Sequence, residues 1–125
     1  MLSKENRLVR MKDFEILHKE GVFVPGKMVN LNVWKIDPTK YPRRKYSVGD
    51  LKIGFAVGLK ISKSAVKRNR IKRQLREVVR LLLKDGKIKS GFMMVFLPKP
   101  NILDKEYREI EEEIVMVLKR ADLFC

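Results

Sequence analysis

The sequence predicts one α+β domain, a small sheet packed by helices in the order αββαβα. Three observations carry this reading. Several stretches alternate with the two-residue period of strands, two long stretches repeat with the 3.6-residue period of helices, and the chain of 125 residues is 45% hydrophobic. That length supports one core and is small for two, so residues 1–125 are expected to fold as a single unit.

Met11, Phe14 and Leu17 recur at helical spacing, Asp13 and Glu15 suit a helix start, and Gly21 stands where the helix would stop. After the turn-like Pro25 and Gly26, residues 28–36 alternate Val29, Leu31 and Val33 with Asn30, Asn32 and Trp34. This is the pattern of a half-buried strand with a partly polar outer face. Trp34 fits either the edge of the core or a stacking platform, the core being the better reading. Residues 37–50, with two prolines, a glycine and a run of basic side chains, read as an exposed loop.

LKIGFAVGL, residues 51–59, sets Ile53, Phe55, Val57 and Leu59 toward a core, while Gly54, Ala56 and Gly58 let a neighbour approach. A long helix is expected from about Ser64 to Lys84, capped by Ser62 or Ser64, with Ile71, Leu75, Val78, Val79 and Leu82 as its apolar stripe. GFMMVFLP, residues 91–98, is apolar on both faces, as a central strand covered on both sides would be. A last helix from Asp104 to about Arg120 turns Tyr107, Ile110, Ile114 and Val117 inward. Glu111, Glu112 and Glu113 are read as a solvated face of it, and Met93, Met94 and Met116 as core filler.

The chain carries 29 basic and 15 acidic side chains, a net charge of +14. Such an excess repels itself in a compact state unless a partner neutralises it, and nucleic acid is the leading candidate. Residues 101–125 hold four basic and seven acidic groups, so the cationic excess belongs to the rest of the chain. The lone cysteine, Cys125, allows no internal disulfide and no cysteine-based zinc site, which fits a cytoplasmic protein. No stretch resembles a signal peptide or approaches the roughly 20 apolar residues of a membrane span. No membrane partner is expected.

AVKRNRIKRQLREVVR, residues 65–80, sets seven Lys and Arg against one Glu. At about 100° per residue, Asn69, Lys72, Arg73, Arg76 and Arg80 gather beside the apolar stripe. Arg68, Lys72, Arg76 and Arg80 form a like-charge ladder in which each i,i+4 pair costs about 0.2–0.5 kcal/mol. A bound anion would offset that cost, and arginine suits bidentate phosphate contacts. Lys60 and Lys67 extend the cationic set. Asn69 can read a base edge or a ribose hydroxyl, or can cap or be solvated; spacing does not separate these. With one histidine, His18, and no clustered carboxylates, no catalytic or metal-ligating residue is assigned.

Residues 68–77, RNRIKRQLRE, match the motif RNRxKRxxRE, and here the chain resembles the protein component of bacterial ribonuclease P. Arg7, Leu8, Asp13, Phe14 and Gly21 are similar to that family's opening, KIGFAV to its central strand, and GFMMVFLPKP to its last strand. The resemblance implies an α+β sandwich with a left-handed crossover around the basic helix. It implies that Arg68, Asn69, Arg70, Lys72, Arg73 and Arg76 contact the catalytic RNA. It further implies that the single-stranded 5′ leader of precursor tRNA lies in a cleft between the first helix and the sheet, where Phe14 matches an aromatic. The RNA, with Mg²⁺, would cut the phosphodiester bond. His18, Asn32 and Leu59 depart from the family pattern; Phe14, His18, Asn32 and Lys60 are the expected leader track. The rivals are a ribosomal or RNA-chaperone protein and, further behind, a DNA-binding regulator, for which no helix-turn-helix pair or dimer seam is found. DNA is not an expected partner.

Overall fold

The computed structural model describes residues 2–125, so Met1 of the expected domain lies outside them. Its helices are α1 (Met11–Glu20), α2 (Ala65–Lys84) and α3 (Tyr107–Arg120), and its strands β1 (Val22–Val24), β2 (Val29–Lys35), β3 (Leu51–Phe55) and β4 (Phe92–Pro98). The order is thus αβββαβα, one strand more than expected. Strand β1, three apolar residues between Gly21 and Pro25, is too short to show a period and exists by pairing antiparallel with β2, Val22 opposite Val33.

The sheet order is β1-β2-β4-β3. Strand β4 runs antiparallel to β2 and parallel to β3. Two neighbouring parallel strands need a crossover, and α2 supplies it. Side chains of β4 alternate between two cores, Met94 and Phe96 in one, Met93 and Val95 in the other. The first core lies under α2 and α3 and holds Ile71, Leu75, Ile110 and Ile114; the second lies under α1 and holds Ile16, Leu17 and Trp34. The central strand is covered on both faces, as its sequence requires.

Helix α2 is capped by Ser64, whose Oγ accepts the Lys67 N–H at 3.3 Å, and Ile71, Leu75, Val78 and Val79 are buried. Helix α3 begins at Tyr107 rather than Asp104, because residues 100–104 wind into a 3₁₀ turn and Glu106 and Glu109 form a capping box.

Several expectations are corrected by tertiary contacts. Leu59 is 70% exposed, since β3 pairing ends at Phe55 opposite Phe96 and the chain then turns. Met11 and Met116 are exposed rather than packed. The stretch likened to a central strand, β3, lies at the sheet's edge. Its free side is covered by the N-terminal segment: the Leu8 N–H donates to the Ile53 carbonyl at 3.0 Å and Asn6 Nδ2 to the Leu51 carbonyl at 2.9 Å. Residues 37–50 form the largely exposed loop expected, which is tied down where Tyr41 and Tyr46 pack edge-on against Trp34, itself buried in the core as read from the sequence. Arg44 and the Tyr46 hydroxyl both donate to buried Asp13, at 2.8 and 2.6 Å.

Glu113 does not belong to a solvated face. It is buried, and its Oε2 accepts the Met28 N–H at 2.8 Å and the Val29 N–H at 3.3 Å. Gly26 permits this approach, because a Cβ there would stand 2.6 Å from the same oxygen. Glu111 and Glu112 remain exposed.

Candidate nucleic-acid interface

Because the apolar stripe of α2 faces the sheet, its cations are forced outward onto two flanks and a crest. Lys72 and Arg76 lie on the flank toward β3 and the N-terminal segment; Asn69 and Arg73 lie on the crest. Arg70 falls on the opposite flank, where its Nη2 donates to the Leu103 carbonyl at 3.3 Å.

Two depressions meet along this surface. The crest depression, of about 440 Å³, is lined by Val66, Asn69, Lys72, Arg73 and Arg76. The second, a groove of about 480 Å³, lies between α2, β3 and the N-terminal segment, with Phe14, Gly54, Phe55 and Arg7 among its walls and Lys72 and Arg76 along its rim. Lys72 and Arg76 line both, so cationic crest and apolar groove form one surface. A Cβ on Gly54 would stand 3.1 Å from two ring carbons of Phe14. The glycine therefore lets the half-buried aromatic settle against the strand.

Some of the chain's cations are paired with carboxylates. Arg80 donates from Nη2 to Glu77 Oε1 at 2.6 Å, a contact that lowers the Glu77 carboxyl and raises the Arg80 guanidinium from their ordinary values. Lys40 pairs with Glu20 and Arg44 with Asp13. Among the described residues, no carboxylate lies within ion-pair distance of Arg7, Lys72, Arg73 or Arg76. A groove edged by unpaired cations with an aromatic wall can accept phosphate on one side and a base on the other.

The structure brings together Phe14, Asn69, Lys72, Arg73 and Arg76. It does not bring the rest of the expected set to these depressions. Arg80 is engaged by Glu77, and Arg68 is half-buried with its Nη1 on the Ser62 carbonyl at 2.8 Å. Lys60 and Lys67 are exposed outside both depressions, and His18 is exposed on α1 one turn beyond Phe14. Asn32 lies beneath the end of α1, where its Nδ2 donates to the Leu17 carbonyl at 3.2 Å. Its Oδ1 is buried without a partner among the described residues. Arg7 and Gly54 also line the groove, although neither is expected there from its sequence spacing. Nothing local in the sequence shows that residues 2–10 run along the edge of β3.

The fold and this surface define an α+β protein whose exposed cationic crest adjoins a partly apolar groove. Among the described residues, no three His, Cys, Asp or Glu are grouped so as to hold a metal, and no helix is long and apolar enough to cross a membrane. The chain belongs to the ribonuclease P protein family: the family model described as Ribonuclease P matches residues 2–122.

Relatives named ribonuclease P protein component include one from Clostridium botulinum (strain 657 / Type Ba4), 31% identical over 97% of this chain and 98% of its own. Another, from Synechococcus sp., is 44% identical over a shorter match covering 57% of this chain and 52% of its own. Solved structures agree in fold. An RNase P protein mutant from Staphylococcus aureus has a TM-score of 0.81 at 22% identity, over 97% of this chain and 92% of that one. The RNase P protein from Thermotoga maritima has a TM-score of 0.70 at 26% identity, over 92% and 96%.

Proposed function

We propose that this chain is the RNA-binding protein subunit of a cytoplasmic ribonuclease P, assisting a catalytic RNA in removing the 5′ leader of precursor tRNA. Family membership supports the assembly, and one observation supports the division of labour. Lys72 and Arg76 line both the cationic crest and the Phe14 groove, so one surface can hold the RNA subunit and a single strand beside it. In this reading Asn69, Arg73 and Arg76 engage phosphates of the RNA subunit, and Phe14 stacks a base of the leader, worth about 1–3 kcal/mol. The groove lets a strand lie flat while the crest neutralises charge that would otherwise hold two polyanions apart.

The chemistry belongs to the RNA and its Mg²⁺. In this reading the protein contributes binding and orientation, and the catalytic groups are those of the RNA. The test is reconstitution of the purified chain with a bacterial ribonuclease P RNA at low Mg²⁺, following precursor tRNA cleavage. Cleavage is expected from the pair alone, with neither component sufficient. Tight RNA binding without stimulation would favour the ribosomal or chaperone alternative. In the same assay Phe14→Ala is expected to weaken precursor binding and spare mature tRNA; equal losses would remove Phe14 from the leader track.

A further inference from the structure

We infer that Arg7 is a phosphate-contacting residue of the groove, holding a backbone phosphate of a single-stranded nucleic acid whose neighbouring base lies on Phe14. The inference rests on the leader reading above and extends it to a segment of the chain which that reading does not use. Arg7, from the N-terminal segment, shares the groove with Lys72 and Arg76 of α2. Its main chain is fixed, for it forms a parallel bridge with Ile53 and the next N–H, that of Leu8, donates to the Ile53 carbonyl at 3.0 Å.

Its side chain is half fixed. Nε donates to the Leu2 carbonyl at 2.9 Å, and Leu2 is itself buried in the larger core. Among the described residues neither terminal guanidinium nitrogen has a hydrogen-bond partner, and no carboxylate is within ion-pair distance. An arginine held by one N–H with its fork free presents two donors in the geometry that matches phosphate oxygens. The adjoining wall is apolar, formed by Phe14, Gly54 and Phe55. A duplex keeps its bases stacked inside, whereas a single strand offers both an exposed phosphate and an unstacked base. The occupant is therefore single-stranded.

The test uses holoenzyme reconstituted from the full chain and a bacterial ribonuclease P RNA. Equilibrium binding of precursor and mature tRNA is measured over a salt series for the wild type, Arg7→Gln, Arg7→Lys and Phe14→Ala. Glutamine keeps a donor for the Leu2 carbonyl while removing the charge. Arg7→Gln is expected to weaken precursor binding about fourfold at 0.15 M salt, to reduce its log–log salt slope by about 0.7, and to leave mature tRNA unchanged. Arg7→Lys is expected to retain the wild-type slope. An unchanged slope in Arg7→Gln, with Phe14→Ala still selective for precursor, overturns the role of Arg7 and leaves the leader groove standing. Equal losses on precursor and mature tRNA in Arg7→Gln also overturn it, since they mark a part in folding or in anchoring the RNA subunit. Equal losses in Phe14→Ala remove the leader reading and the role of Arg7 with it.

Discussion

Three consecutive glutamates on α3 should respond very differently to truncation, and the difference follows from one buried carboxyl group. Glu113 is 3% exposed, and its Oε2 accepts the Met28 and Val29 N–H groups at 2.8 and 3.3 Å. Val29 is fully buried, so its N–H has no route to water when the acceptor is removed. A buried donor left unsatisfied costs about 1–3 kcal/mol. Taking the shorter bond near the middle of that range and the longer one near its lower end, Glu113→Ala should cost about 3 kcal/mol. In a domain of this size each kcal/mol moves the melting midpoint by about 3–5 °C, so the expected fall is about 9–15 °C.

Glu113→Gln keeps one acceptor of similar volume and should cost about half as much. Glu112→Ala is the control, because Glu112 is exposed and meets only Arg108 at 3.5 Å; it should move the midpoint by about 2 °C at most. Thermal unfolding followed by circular dichroism reads all three. A fall of under about 3 °C for Glu113→Ala would refute the argument, by showing that the turn from Pro25 to Met28 relaxes to find other partners.

Two further outcomes test the surface and the loop. Lys72→Ala with Arg76→Ala removes two cations shared by crest and groove. Affinity for ribonuclease P RNA, read by filter binding, should fall about 15- to 30-fold at 0.15 M salt, the log–log slope flattening by about 1.4–1.8; an unchanged slope with an intact fold would exclude them as phosphate contacts. Burial, with the hydrogen bond to Asp13 second, holds the Tyr46 hydroxyl above its ordinary value. The folded state therefore keeps that proton more tightly than the unfolded state, and its contribution is complete below about pH 10 and lost as pH rises beyond it. Urea titrations at about pH 8 and pH 11 should show Tyr46→Phe less stable by about 1 kcal/mol at the lower pH and less sensitive to the rise. Parallel losses in wild type and variant would contradict the sign.

The parts of this protein that were legible in its sequence are those whose signals are local. The stripe Ile71, Leu75, Val78 and Val79 states a helix and its buried face within three turns, and by exclusion places Lys72, Arg73 and Arg76 on the outside. The two-faced apolarity of FMMVF states a covered central strand. What could not be read there depends on residues far apart in the chain. The groove joins Arg7, Phe14, Gly54 and Lys72 only because an N-terminal segment with no periodic signal pairs along β3. Arg80, a member of the cationic ladder by spacing, is paired by a glutamate one turn back. Asn32, placed on an outer strand face by alternation, is covered by the end of α1. Periodicity reports which side of an element is apolar, because that is a property of neighbouring side chains. Which polar group becomes an anchor, an ion pair or an open contact is decided by what the tertiary fold sets against it.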